Sequence, residues 1–478
     1  MSKSLVANCL AAAMLVALAA CAQEADDNPF VASGPGPGPQ PTEPDQPRDD
    51  PKTPDDLKQV VQGSLDDVEK FWTDQYPQLF DEPFDPVDDY YGYGPNTAMP
   101  PCGDPPPSYT DIQDNAFYCP EGDLIAADEE KLLPYLAENF GKFTIGIVFA
   151  HEYGHAIQAR SGISTDRSVV IEMQADCYAG AWTRWVSDGN SDNFAVKVDQ
   201  LDASLAGMTT ISDQAGTDPN EVGAHGSAFD RLGSFQDGFE SGAERCSEYD
   251  RDPNLPIVEA VFTDDEEIAS GGNLHPFDEG PDDQGLLSLA KEDLNKFYDQ
   301  LFKEKLSKTF TPVEELVVPD SGSITCDGES LDASDISRST GYCQDENTVV
   351  IGKDLIPDYY EIGDFALGAE VARLWADAAQ LQLGIDDTTK EVSLQADCLT
   401  GFWAFSRFPL DQNGNERDLG DVSLSLSPGD LDEGIRGFIT SDLGEGAEDV
   451  GTVFERVGAL RAGFINGLDG CTAIAPLG

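Results

Sequence analysis

Past residue 56 the chain is dominated by helical periodicity. Asp56 to Tyr76 and Leu287 to Phe302 carry apolar residues at intervals of three and four, the pattern of amphipathic helices with one face on a core. FTIGIVFA, from Phe143 to Ala150, is apolar almost throughout, as expected of a helix threading the interior. Period-two segments are short. AFYCPEGDLIAA (116–127) and GYCQDENTVVIG (341–352) place β-rich residues around Pro-Glu-Gly and Asp-Glu-Asn, so each predicts a hairpin. Helices then dominate to the end of each half. The fold class predicted is α+β, predominantly helical, and a hairpin just ahead of an apolar helix could offer an edge strand to an extended peptide.

These segments recur. KFW ending at Trp72 aligns with KFY ending at Tyr298, and FTIGIVFAHEYGHAIQARSGI aligns with FALGAEVARLWADAAQLQLGI from Phe365. EMQADCYAGAW from Glu172 aligns with SLQADCLTGFW from Ser393. The offset stays between 221 and 226 residues, which predicts two tandem copies of one domain, residues 56–251 and 286–478, joined by an acidic linker at 252–285.

The first copy carries HEYGH, His151 to His155. Residues four apart share a helix face, so both imidazoles point to one place. A catalytic zinc takes three protein ligands and keeps one position open, which leaves Glu152 free as general base. Glu172, 17 residues after His155, can supply the third ligand from the next helix. Asp176, one turn further, can accept the outward N–H of a ligand histidine. The second copy has Arg373, Leu374, Asp377 and Ser393 where the first has His151, Glu152, His155 and Glu172, and Val450 where it has His225. Asp397 is retained opposite Asp176. One zinc per chain is expected, in the first copy, with the second a degenerate domain that shapes the cleft, binds substrate or docks a partner.

VFAHEYGHAIQ, EMQADCYAGAW and HGSAFDRLGSF at His225, with Cys102-Gly103 and AFYCPEGDLI upstream, resemble the bacterial neutral zinc metallopeptidase family, a gluzincin-type group. The resemblance spans roughly residues 56 to 250. It implies a zincin-like fold for each copy, His151, His155 and Glu172 as zinc ligands, Glu152 as catalytic carboxylate, and a peptide or protein substrate. For His225 it suggests a transition-state donor.

Setting aside Cys9 and Cys21, four cysteines fall in each half. Four allow three connectivities. The economical choice pairs Cys102 with Cys119 and Cys177 with Cys246, repeated as Cys326 with Cys343 and Cys398 with Cys471. Disulfides imply an oxidising compartment. The N-terminus agrees: Lys3 precedes a short apolar run ending in LAAC, a lipoprotein signal (1–20) that would leave Cys21 lipidated. Nine prolines and nine acids between residues 22 and 56 cannot bury a core, so 21–55 is expected to be an extended tether. The formal charge of −62 lacks the basic footprint of a nucleic-acid binder and disfavours electrostatic docking on anionic lipid. The expectation is an extracytoplasmic, lipid-anchored bacterial zinc peptidase that meets the membrane through its anchor alone. The competing reading is a non-catalytic surface binding or scaffold lipoprotein with a structural zinc.

Overall fold

The computed structural model describes residues 53–477 apart from 55, 164, 166, 197, 211, 220–223, 253–254, 259, 263–264, 278–284, 412–414, 421 and 443–449. The signal, Cys21 and nearly all of the tether lie outside the described residues. Thr53 is already buried. Helix α1 (Leu57–Phe80) starts at Asp56, whose carboxylate accepts hydrogen bonds from the backbone N–H groups of Lys58 and Gln59 and so caps two of the helix's unpaired donors.

Strand β1 (Asp89–Tyr93), the short helix α2 (Tyr109–Ile112), β2 (Ala116–Cys119) and β3 (Leu124–Asp128) follow. The expected hairpin is β2–β3, paired antiparallel with Ala116 opposite Ala127. Sequence reasoning missed β1, which pairs parallel to the other edge of β3 and makes a three-stranded sheet in the order β1-β3-β2. Behind this sheet lie α3 (Leu132–Phe140), α4 (Phe143–Ser161), α5 (Ser168–Ser187), α6 (Val198–Thr209) and α7 (Ala228–Cys246). Helix α4 packs against α1 and α5, and α5 packs along α7.

The second half runs through the same succession. Helix α9 (Leu286–Leu301) leads to β4 (Glu315–Val317), β5 (Ser323–Cys326), β6 (Glu329–Asp332), β7 (Thr340–Cys343) and β8 (Thr348–Ile351). Strands β4, β8 and β7 form a sheet in that order, with β4 parallel and β7 antiparallel to β8. The β5–β6 hairpin is an addition that the sequence reading did not anticipate. Then come α10 (Ile356–Ile362), α11 (Asp364–Leu383), α12 (Lys390–Arg407), α13 (Asp430–Asp442) and α14 (Val453–Ile474), with α12 packed along α14.

One continuous hydrophobic core runs through both halves. The connecting stretch carries helix α8 (Asp265–Ser270) and is held to that core. Leu255, Ile257 and Val258 are buried, Val258 N–H donates to Asp230 at 3.1 Å, and Leu274 N–H donates to Asp364 at 2.6 Å. Its acidic composition hid these anchors. All four disulfides follow the economical pairing, Cys102–Cys119, Cys177–Cys246, Cys326–Cys343 and Cys398–Cys471. Among the described residues no helix is long and apolar enough to cross a membrane.

Candidate metal centre

Two helices supply the site's side chains. Helix α4 presents His151, Glu152 and His155 on its buried face, and α5 crosses close enough to add Glu172. The close crossing depends on Gly154, where an added Cβ would stand 2.9 Å from Ala175 Cα, a backbone atom that cannot yield. His151 Nε2 and His155 Nε2 are 3.2 Å apart, and the Glu172 carboxylate lies 3.3 Å from the first and 3.6 Å from the second. Donors about 2.0–2.1 Å from a tetrahedral ion are separated by about 3.3 Å, so the three observed separations suit one zinc. The three side chains the sequence nominated as ligands thus converge on one point.

The histidines are oriented from behind. His151 Nδ1 is 2.7 Å from Asp176 Oδ1, an ionised acceptor, so Nδ1 carries the hydrogen and the Nε2 lone pair faces the centre. That is the role the sequence reading gave Asp176. Two partners were missed. Arg231 on α7 donates from Nε to Asp176 Oδ2 at 2.7 Å and from Nη2 to Oδ1 at 2.9 Å, fully buried. Gln158 Oε1 lies 2.9 Å from His155 Nδ1, while Gln158 Nε2 donates to Ile171 O and to Gln174 Oε1, which fixes the amide's orientation. The sequence marks the position of Arg231 without its partner: F-D-R-L-G at Phe229 recurs as F-E-R-V-G at Phe454.

Glu152 sits beside the ligands rather than among them. Its Oε2 accepts the backbone N–H of Tyr118 on edge strand β2 at 2.9 Å. Burial pushes its carboxyl above the ordinary range, against the pull of His151 and His155. Burial opposes the charged form of Glu172 as well, but hydrogen bonds to both histidines hold it well below the usual carboxylate value. Asp176 is likewise held low against burial, chiefly by Arg231 and then His151. In the metal-free site, burial acts against a proton on His151, yet Asp176, Glu172 and Glu152 raise it to about 10. Three carboxylates around two imidazoles make a pocket that calls for a cation. His225 is not among the converging side chains: it precedes α7, 56% of its side chain is exposed, and its Nδ1 is 3.4 Å from Asp213.

The corresponding place in the second half holds a guanidinium. Arg373, 2% exposed, donates from Nε to Asp397 at 3.0 Å and from Nη2 to Ser393 Oγ at 2.7 Å. Arg456 Nε donates to the other oxygen of Asp397 at 2.9 Å. Gln380 and Gln395 keep the amide pairing of Gln158 and Gln174.

Two histidines one turn apart, a glutamate from the next helix and a carboxylate beside them that no ligand position needs make up a site of the zinc-peptidase class. A family model described as "Putative neutral zinc metallopeptidase" matches residues 3–249, just over half of the chain, and the chain belongs to that family. It is similar to the uncharacterized protein Rv2575 of Mycobacterium tuberculosis, 27% identical over 164 residues, covering 29% of this chain and 53% of the relative. It is also similar to the uncharacterized protein YpfJ of Escherichia coli strain K12, 28% identical over 151 residues, covering 26% and 50%. The chain thus spans about half the length of the curated relatives it matches. No solved structure matches it.

Proposed function

We propose that this chain is a zinc-dependent peptidase of the cell exterior, held at the membrane by a lipid on Cys21, with one working and one degenerate copy of the domain. The observation that carries the proposal is the convergence of His151, His155 and Glu172 with Glu152 alongside, buried and not needed as a ligand. A zinc ion held by those three would supply Lewis acidity, which makes water a nucleophile near neutral pH and polarises a scissile carbonyl. Glu152 is placed to receive the proton of the attacking water and pass it to the leaving amine. Asp176 and Gln158 keep the imidazoles in the tautomer that points Nε2 inward. His225 is the residue we assign as donor to an oxyanion, on the resemblance of its HGSAFDRLGSF segment alone. The four disulfides support an oxidising compartment, as does the N-terminal LAAC sequence.

Glu152→Gln tests the assignment. The variant should keep its zinc and lose peptide hydrolysis by about 10²–10⁴-fold, the usual worth of a positioned acid–base group. Wild-type protein that holds zinc yet cleaves nothing across peptide libraries would exclude the peptidase reading and leave a binding lipoprotein.

A further inference from the structure

Each of the two halves caps a helix of the other. Asp432, on α13, accepts the backbone N–H groups of Ala228 and Phe229, both at 2.9 Å, at the first turn of α7. Reciprocally, Asp202 on α6 accepts those of Val453 and Phe454, at 3.2 and 3.1 Å, at the first turn of α14. Each helix also has its own N-cap, Ser227 for α7 and Thr452 for α14. The carboxylates from across the interface therefore satisfy further unpaired donors and oppose the positive end of the helix dipole. Arg436 of α13 adds a hydrogen bond to Ser212 Oγ at 3.3 Å, near the start of the loop that ends at His225.

The consequences of the two caps differ. From Ala228 and Phe229 it is one helical turn to Arg231, whose guanidinium holds both oxygens of Asp176, and Asp176 holds His151 Nδ1. From Val453 and Phe454 it is one turn to Arg456, whose Asp397 holds only Arg373 and so leads to no metal ligand. Chemically similar contacts thus end at a metal centre on one side and at a guanidinium on the other.

We propose that the second half is a positioning subunit for the metal centre of the first, acting through Asp432, the first turn of α7, Arg231 and Asp176 to fix the His151 ring. The inference rests on the zinc reading above. Asp432 is a positioning residue, not a ligand, and the mirror residue Asp202 supplies the control for general loss of stability.

The test uses the full mature chain. Zinc affinity is measured by competition with a chromophoric chelator for wild type, Asp432→Ala, Asp432→Asn and Asp202→Ala, and each metal-free protein is melted. Both alanine variants should lower Tm by similar amounts. Only Asp432→Ala should weaken zinc, by about tenfold, the low end for disturbing a ligand's outer partner. Asp432→Asn should fall between it and wild type, and it carries the test should the alanine variant not fold. Substituted with cobalt, Asp432→Ala should show an altered visible spectrum and Asp202→Ala the wild-type one. Wild-type zinc affinity in both Asp432 variants would overturn the proposal, as would an equal loss in Asp202→Ala. Wild-type protein that binds no zinc would instead overturn the metal reading beneath it.

Discussion

Replacing Gly238 by alanine should damage the metal centre from a distance. Helix α7 lies so close to α5 at this point that an added Cβ would be 1.8 Å from the carbonyl oxygen of Cys177 and 2.9 Å from the nitrogen of Ala181. Carbon and oxygen in contact stand at roughly 3.3 Å or more, so the helices must separate by about 1.5 Å, and the obstacle is backbone rather than a side chain that could turn away. The Cys177–Cys246 disulfide ties the same pair of helices and resists that separation. Arg231 is two turns back on α7, with its Nε 2.7 Å from Asp176. If even half of the displacement reaches it, the hydrogen bond passes beyond 3.2 Å and the buried ion pair opens. Overpacking of this kind costs about 1–3 kcal/mol and breaking a buried pair about 3–5 kcal/mol, so a loss of roughly 5 kcal/mol is expected for the variant. That corresponds to a fall in Tm of about 10–20 °C for a unit the size of one half. Zinc affinity should fall with it, by about 10- to 100-fold, because the partner of His151 has moved. Thermal melts by circular dichroism and chelator competition read the two effects. A variant with wild-type Tm and wild-type zinc affinity would refute the claim that this crossing sets the position of Arg231.

Other outcomes follow from the same geometry. His155→Ala should reduce zinc, measured by elemental analysis of the full chain, from one per molecule to none; residual zinc near one would point to a second site. Replacing Cys177 and Cys246 together by serine opens a loop of sequence separation 69 and should cost about 2–5 kcal/mol in a denaturant titration under oxidising conditions. Burial raises Asp230 and Glu433 to about 7 and Asp364 to about 6. Folded-state values above the unfolded ones mean that the folded form binds the extra protons, so this stability is complete below about pH 4 and is lost as pH rises through 6 to 7. Metal-free protein should therefore melt at a higher temperature at pH 5 than at pH 8. Asp230→Asn should shrink that difference, and an unchanged pH profile would show that Asp230 is already ionised.

The chemistry was legible because it is local. The i, i+4 spacing of His151 and His155 and the one-turn spacing of Glu172 and Asp176 are properties of single helices, and helix faces can be read from sequence. Strand β1 was not legible, since five residues, DYYGY, gain their strand character only by pairing with β3 more than thirty residues later. Arg231 was hidden for another reason: an arginine on a helix ordinarily reads as surface, and only the crossing of α5 and α7 shows that it meets Asp176 in the interior. The capping by Asp432 and Asp202 joins positions more than 200 residues apart, and no local pattern distinguishes those two carboxylates among the 90 acids of the chain.

Under the proposed duplication, the second centre explains what decay of a metal site must preserve. Asp397 is fully buried, and a carboxylate there without a cation would carry the full cost of desolvation. In the first half an imidazole hydrogen bond and Arg231 compensate Asp176, and the ligand pocket beyond is suited to a divalent ion. In the second half Arg373 occupies the ligand-histidine position and spans Asp397 and Ser393, and Arg456 pairs with the other oxygen of Asp397, so two covalently attached cations hold the buried carboxylate. The charge of Asp397 is therefore compensated by side chains alone. Leu374, Asp377 and Ser393 stand where the first half has Glu152, His155 and Glu172. Under that duplication the second half, which lacks counterparts of His151, His155 and Glu172, keeps its helices, its disulfides and its interface with the first half.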